Sequence, residues 1–315
     1  MKIELKKCAT LLREWDNILI LCHAHPDGDT LGSGFSLLRA LLSMNKRARL
    51  LCDDEIPSKY NFMFDDLKTE DFEPEHIVAV DVATETLLGS IQNEYSGRIE
   101  LCIDHHATNT KYADNLLLDS DAAANCEIIY RVINELGVKI DKKMADCLYT
   151  GLTTDTGCFR YSSTTANTYR CAAELIELGA DNGYINRLMF ETKTKKFAAL
   201  ERLATQGMQF FLDERVCVIT ITNEMYEQTG TDEQDTEALP PLTRQIEGVE
   251  IGLTIREKKD KTCKCSIRTF ESVNAADLAS AFGGGGHKQA AACRFDCDVE
   301  SAKKMLVEKC KELLK

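Results

Sequence analysis

The sequence predicts an α/β fold: a mostly parallel sheet flanked by helices, with a second, smaller α/β domain joined by a helical linker. Three observations carry that expectation. Short apolar runs alternate with helix-period segments through the first half of the chain, the pattern of strands connected by crossover helices. Acidic residues recur just beyond the ends of those runs, where parallel sheets collect their ligands. Past residue 211 the pattern changes to strand-like segments with fewer helical ones.

Taken in order, the runs at 18–22, 48–52, 77–82 and 99–103 read as strands, and 32–43, 122–135, 142–150 and 165–177 as helices. The first domain is expected over residues 1–190. Residues 191–211 are Lys-rich and then helical in pattern, which reads as a linker, and 212–315 form the second domain. Within it 216–222, 249–256, 263–270 and 290–295 have strand patterns. Residues 275–281 read as a short helix, 299–314 as a closing amphipathic helix, and the acidic stretch 230–237 as an exposed loop.

Bulk properties narrow the class. A chain of 315 residues that is 44% hydrophobic can bury a sizeable core and suits two domains better than one. No apolar run approaches the length of about 18 residues that a membrane span needs, and the N-terminus carries no apolar signal core; a cytoplasmic location is expected. The 14 cysteines show no Cys-x-x-Cys pair and many sit in apolar runs, so they read as buried free thiols in a reducing compartment. A net charge of -13 repels long duplex nucleic acid. A small anionic substrate remains compatible, given bound cations and a local basic patch.

The densest chemistry lies in His23-Ala24-His25-Pro26-Asp27-Gly28-Asp29, directly after the first apolar run. Asp104-His105-His106 follows another, Asp81 ends a third, and Asp155 sits in Thr153-Thr154-Asp155-Thr156-Gly157 at the end of a helical run. Singly, each has a bland reading: Asp-Gly-Asp as a turn, Asp81 as a helix cap, a histidine as an ordinary surface or core residue. Their joint placement at successive strand ends argues for metal. The candidate ligands are His23, Asp27, Asp29, Asp81, His105 and Asp155. Imidazole with carboxylate favours Mn2+ or a similar ion over Mg2+ or Ca2+ alone. Six ligands with four carboxylates suit two ions sharing a bridging carboxylate, the arrangement that clamps a phosphoryl group. No thiol belongs to the set, which argues against structural zinc. His25 reads as a neighbour of His23. His106 is the candidate to face a substrate phosphate, and Asp104 the partner that orients a ligand imidazole.

The second signal is Phe282-Gly283-Gly284-Gly285-Gly286-His287-Lys288. Successive glycines leave backbone N–H groups unobstructed and, beside His and Lys, suit an anion. Arg268 on the preceding strand could bind phosphate or carboxylate with two prongs. A flexible hinge is the plainer alternative, but ordered apolar sequence on both sides disfavours it. No Gly-Lys-Ser/Thr closes the run, so it is not a P-loop.

Together these segments resemble the DHH phosphoesterase family: 23–29, Val80-Asp81, Asp104-His105-His106-Ala107-Thr108-Asn109 and Thr154-Asp155-Thr156-Gly157. Ser266-Ile267-Arg268 and Gly283-Gly284-Gly285-Gly286-His287 resemble the DHH-associated C-terminal domain. The compact length is similar to the nano-RNase and pAp phosphatase branch rather than full-length RecJ. The resemblance implies a two-domain enzyme with its active site in the cleft between the domains. His23, Asp27 and Asp81 would hold one metal, usually manganese; Asp29, Asp81, His105 and Asp155 would hold the other, with Asp81 bridging. His106 would contact the scissile phosphate, while Arg268, Gly284, Gly285, Gly286 and His287 would grip the terminal phosphate or nucleotide. One departure is Cys293, where the family usually has glycine.

The expected activity is therefore hydrolysis, by metal-activated water, of short oligoribonucleotides, of 3′-phosphoadenosine 5′-phosphate (pAp), or of both. Linear dinucleotides such as pApA and pGpG, or cyclic dinucleotides, are the alternative substrates. A nucleotide sensor without catalysis is the non-enzyme alternative. Short RNA or small nucleotides are the expected partners, with no membrane and with a homodimer among the permitted assemblies.

Overall fold

The computed structural model describes residues 1–314 except Glu237 and Glu271, and leaves the side chains of Gln234 and His287 undescribed. The chain divides into two compact units, Met1–Thr192 and Lys193–Lys315. The first holds β1 (Ile18–Leu21), β2 (Ala48–Leu51), β3 (His76–Val80), β4 (Leu101–Asp104) and β5 (Asn115–Leu118). They form one sheet in the order β2-β1-β3-β4-β5, and every pairing is parallel.

Its helices are α1 (Leu5–Glu14), α2 (Gly28–Ser43), the short α3 (Gln92–Tyr95), α4 (Asn125–Leu136), α5 (Lys142–Asp155), α6 (Ala166–Glu177) and α7 (Asn182–Asn186). The sheet is apolar on both sides because helices and loops cover both. Ile18 and Ile20 face a core shared with α2, α4 and α5, while Leu19 and Leu21 face a second core with Leu88, Tyr95 and Ile99. Alternate residues of a strand point to opposite faces, so continuous Ile/Leu/Val runs are what a doubly covered parallel strand requires.

This strand order reverses direction between β1 and β3, and ligands in open α/β sheets collect at such a switch point. The chain leaving β1 carries His23 and Asp27; the chain leaving β3 carries Asp81.

Three local details differ from the sequence pattern. α2 begins at Gly28 rather than at residue 32, because Asp27 caps it by accepting hydrogen bonds from the amides of Asp29 and Thr30. α5 continues to Asp155 rather than stopping at 150. Strand β5 was not apparent in the pattern: four residues opening with a polar one carry a weak signal.

Helices α2 and α5 lie very close. A Cβ on Gly151 would stand 2.2 Å from Cys126 Sγ and 2.7 Å from Asp29 Oδ1. Only glycine permits that approach, which carries the C-terminus of α5 and Asp155 to the sheet's carboxyl end.

The second unit contains α8 (Lys195–Gln206), β6 (Gln209–Phe211), β7 (Val216–Ile221), α9 (Asn223–Thr229), β8 (Ile251–Glu257), β9 (Cys263–Thr269), α10 (Ala275–Ser280), β10 (Gly285–His287), β11 (Ala290–Phe295) and α11 (Val299–Leu313). Its strands form a mixed sheet in the order β10-β11-β9-β8-β7-β6, with β7 and β8 parallel. One face packs on α10 and α11 through Ile251, Leu253, Ile267, Leu278 and Leu306. On the other, Phe197, Leu200 and Ala204 of α8 pack with Ile219, Ile221 and Leu239. The helix expected as a linker thus packs within this unit.

The stretch expected as an exposed loop at 230–237 is not wholly so. Thr231 and Thr236 are buried and Gln234–Thr236 forms a 3-10 turn, while Glu237 lies outside the described residues. All 14 cysteines are free and 11 are buried, as their apolar settings imply. No helix among the described residues is long and apolar enough to cross a membrane.

Candidate metal centre

Four chain segments converge at the carboxyl end of the first sheet. After β1, His23 points its Nδ1 at the carbonyl of Ala24, 2.8 Å away. That contact turns Nε2 toward the cluster, 3.7 Å from Asp27 Oδ1 and 3.8 Å from Asp81 Oδ2. The Thr30 hydroxyl donates to the Val80 carbonyl at 3.1 Å and accepts from the His23 amide at 3.4 Å, tying the start of α2 to the ends of β1 and β3.

Asp81 follows β3 in a left-handed conformation, φ 60°, which is strained for a non-glycine residue and is retained where surrounding structure over-determines it. Its amide donates to the Ile103 carbonyl at 2.9 Å. Its Oδ1 stands 3.5 Å from His105 Nε2 and also 3.5 Å from His106 Nδ1.

Asp104 closes β4 and is fully buried. Its Oδ1 accepts from the amides of His105 and His106 at 2.8 and 3.2 Å, and pairs with His106 Nδ1 at 2.8 Å. Its Oδ2 accepts from Asn109 Nδ2 at 2.7 Å. Asp104 therefore holds the ring of His106 and, of His105, the backbone amide. His105 Nδ1 lies 3.1 Å from the Ala122 carbonyl. The ring's Nε2 then faces Asp29 at 3.9 Å and Asp155 at 3.6 Å.

Three groups of ligand atoms lie within 4.8 Å of one another: His23, Asp27 and Asp81; Asp29, His105 and Asp155; and Asp81, His105 and His106. All six candidate ligands read from the sequence are brought together, with His106 beside them. His25 is not among them; it is exposed, takes a φ of 53°, and pairs with Asp54 at 2.8 Å.

Arg268, Gly284, Gly285 and Gly286 lie in the second unit. Arg268 is on β9 opposite Ala290 and donates to the Ile267 carbonyl at 3.0 Å. The glycine run is not an open nest. The amides of Gly283 and Gly284 bond to Ser280 and Ala279, and Gly285–His287 pairs as a short strand with β11. The His287 side chain lies outside the described residues.

The electrostatics of the cluster are those of a site short of positive charge. Burial, reinforced by the charges of Asp29, Asp27, Asp155 and Asp104, pushes Asp81 well above the usual carboxylate range. Burial raises Asp29 as well, against the pull of His105. It pushes Asp155 up to about 8, with Asp29 adding to the effect. Burial works to lower the His105 pKa, but the Asp29 and Asp155 carboxylates outweigh it. The same holds for His23 beside Asp27. For Asp104 burial works upward, but the hydrogen bonds from His106 and Asn109 win and hold it low.

Acids that retain protons next to bases that attract them mark a place where a cation would settle every group at once. One atom makes the fit specific: Asp81 Oδ1 is buried and has no hydrogen-bond partner among the described residues, a state that costs free energy unless a ligand satisfies it. The donors are oxygen and imidazole nitrogen only, which fits a hard or borderline divalent ion.

The sequence pattern did not reveal how Asp29 is held. Its carboxylate accepts from the amides of Asn125 at 2.5 Å and Cys126 at 2.9 Å, at the start of α4. No local signal links residues 96 positions apart.

The description of the DHH family, N-terminal domain, matches residues 17–152, and that of the DHHA1 domain matches residues 213–315. A bifunctional oligoribonuclease and PAP phosphatase NrnA from Thermus thermophilus is 30% identical over 307 residues, spanning 94% of this chain and 90% of that one. The chain belongs to the DHH family.

Membership makes it a hydrolase of phosphoester bonds. The Bacillus subtilis protein of the same NrnA description is 26% identical over 292 residues, 91% of each chain. Among solved structures, an exopolyphosphatase-related protein from Bacteroides fragilis superposes with a TM-score of 0.90 at 26% identity, covering 98% of this chain and 97% of that one. RecJ from Thermus thermophilus in complex with Mn2+ shares the fold at a TM-score of 0.58 and 16% identity, over 96% of this chain and 54% of RecJ.

Proposed function

We propose that this DHH-family chain hydrolyses phosphoesters of short oligoribonucleotides and of 3′-phosphoadenosine 5′-phosphate. In this reading His23, Asp27 and Asp81 hold one divalent cation, and Asp29, Asp81, His105 and Asp155 hold a second, with Mn2+ the ion that mixed imidazole and carboxylate donors favour. One observation carries it: Asp81 turns Oδ2 toward His23 and Oδ1 toward His105, as a carboxylate shared between two ions must. The NrnA descriptions of the Thermus and Bacillus relatives support the substrate class.

Two such ions, when bound, polarise the phosphoryl oxygens and lower the pKa of a water. The protein's own groups do the rest. Asp104 fixes the ring of His106 through Nδ1, so that the half-buried ring would face a phosphoryl oxygen as negative charge develops there. Asn109 holds Asp104 in turn. The N-terminus of α2, with Asp27 as its cap, carries Asp29 into the cluster with His105 and Asp155. Residues 1–190 supply this chemistry, and 212–315, with Arg268, Gly284, Gly285, Gly286 and His287, bind the nucleotide or its terminal phosphate.

The purified protein with Mn2+ is expected to release mononucleotides from a diribonucleotide and inorganic phosphate from pAp. Asp81→Asn is expected to reduce both by on the order of 100-fold or more. Retention of full activity by Asp81→Asn would overturn the shared-carboxylate reading. Failure of the wild type on both substrates would overturn the substrate class.

A further inference from the structure

The segment directly after Asp155 is built in a way that holding a metal does not require. Gly157, Cys158 and Phe159 have φ values of 57°, 59° and 61°. Two of the three are not glycine, and a left-handed conformation is strained for such residues. The surroundings hold the turn in that shape. The Cys158 amide donates to the Thr153 carbonyl at 2.7 Å, and the Phe159 amide donates to the Thr156 hydroxyl at 3.0 Å. The amides of Arg160 and Tyr161 both return to the Thr156 carbonyl, at 3.0 and 3.1 Å.

Side chains lock it further. Arg160 Nε donates to the Gly157 carbonyl at 2.5 Å, and its guanidinium lies 5.9 Å from the ring centre of Phe190. Phe159 stacks on Tyr169, with centroids 5.4 Å apart and planes 22° from parallel, and leans on Tyr149 from the other side at 6.1 Å.

This rigid turn presents Tyr161. The ring lies flat over Gly157: a Cβ there would meet its Cζ at 2.3 Å and its Cε1 and Cε2 at 2.6 and 2.7 Å. Yet Tyr161 remains 42% exposed. One face of the phenol is thus fixed against backbone and much of the rest is open to solvent. Gly157 is two residues beyond Asp155, so at most about 7.6 Å separates their Cα atoms, and the Asp155 carboxylate belongs to the cluster with Asp29 and His105. An immobilised, open aromatic ring at the edge of a phosphoester-cleaving cluster has a natural ligand in the base attached to that phosphate. Bases stack on aromatic side chains with little regard to sequence.

We propose that Tyr161 is a nucleobase-stacking residue, and that residues 156–161 form a rigid platform for the base next to the phosphate at the cluster. This deepens the nucleotide-hydrolase reading and rests on it for the source of the base. A fixed ring loses little entropy on binding. It favours a base that is already unstacked, such as one in a mononucleotide or a short single strand. It gives no advantage to inorganic pyrophosphate or to a sugar phosphate.

The test is calorimetric binding of AMP and of ribose 5-phosphate to the full chain with Mn2+, which needs no turnover. The wild type is expected to bind AMP about ten-fold more tightly than ribose 5-phosphate. Tyr161→Leu, which keeps apolar cover over Gly157 but has no π face, should lose about that factor for AMP and nothing for ribose 5-phosphate. Tyr161→Phe, which keeps the ring, should retain the preference. Equal affinity of the wild type for the two ligands overturns the proposal. So does an equal loss for both in Tyr161→Leu, which would mark Tyr161 as a structural cover for the turn. If base preference follows the ring but no diribonucleotide or pAp is cleaved, the stacking role stands and the hydrolytic substrate reading fails.

Discussion

The Asp29 carboxylate accepts hydrogen bonds from the amides of Asn125 and Cys126, and so caps the N-terminus of α4 from the first turn of α2. A residue with a proposed role in binding metal thus also has a structural one. Among the described residues no comparable set of amides donates to Asp155, which is raised by burial and by Asp29. The two carboxylates should behave differently on mutation. Asp29→Ala leaves two buried amides without acceptors and is expected to destabilise the metal-free protein by about 2 kcal/mol. Asp155→Asn puts a neutral amide in place of an acid whose ionisation burial and the neighbouring carboxylates oppose, and is expected to raise the metal-free melting temperature. Calorimetry in a chelator, repeated with Mn2+, checks both. The wild type should gain stability on adding the ion, as any ligand of the native state provides, and Asp155→Asn should gain less.

In the proposed mechanism Asp104 acts through His106, whose Nδ1 it holds, and not through an ion of its own. Asp104→Asn keeps the shape but cannot accept from both His106 Nδ1 and Asn109 as the carboxylate does. Turnover is expected to fall about 10–100-fold while the number of bound Mn2+ ions per chain stays the same. Kinetics with elemental analysis separate the two quantities. An unchanged rate would remove Asp104 from the mechanism.

Arg39 and Asp66 provide a pH-dependent contact far from the cluster. Arg39 lies on α2, is only 8% exposed, and bonds both Asp66 and the Met63 carbonyl. The hydrogen bond from Arg39 holds Asp66 down to about 2, against about 3.9 for an unfolded aspartate. A group depressed in the folded state stabilises fully above its unfolded pKa, and that stabilisation is lost as pH falls through the folded value. Thermal melts of wild type and Asp66→Asn should differ at pH 5 and converge as pH approaches 2. Because the Asp66 side chain is 48% exposed, the difference should be small and should shrink in high salt. A difference that stays constant across this range would assign the effect to packing.

Gly284 sits where β10 meets β11. A Cβ on it would stand 2.2 Å from the Ala292 carbonyl oxygen and 2.8 Å from Cys293 Cα, both backbone atoms that cannot turn aside. Gly284→Ala is expected to destabilise the second unit by about 1–3 kcal/mol, read by urea unfolding. Metal binding by the first unit should be unaffected. Wild-type stability in this variant would mean the hairpin tolerates separation.

Much of the centre could be read from the chain because its information is local. His23, Asp27, Asp81 and Asp104 each follow an apolar run by one or a few residues, and a parallel sheet brings all such ends to one edge. The glycine run is equally visible, but its pairing with β11 is not. Glycine there permits close approach to β11, and pairing with β11 turns what looked like an open nest into a strand. The helical pattern is legible only from residue 32, whereas α2 begins at Gly28. Burial against α5 and the Asp27 cap outweigh the poor helix propensity of glycine. Strand β5 escaped notice because a four-residue strand takes its stability from its neighbour β4, not from its own pattern.

The alternation of apolar and helical periods, and the acids at the ends of the apolar runs, specified the class of fold and the six residues of the cluster. Those features depend on neighbours within a few positions, which the chain carries in order. Three things arose only from folding: Asp29 capping α4, Asp81 turning one oxygen to His23 and the other to His105 and His106, and the Tyr161 ring laid over Gly157. Each is a distance or an orientation between segments that the chain order leaves free, set by which helices can approach closely enough to bury their apolar faces.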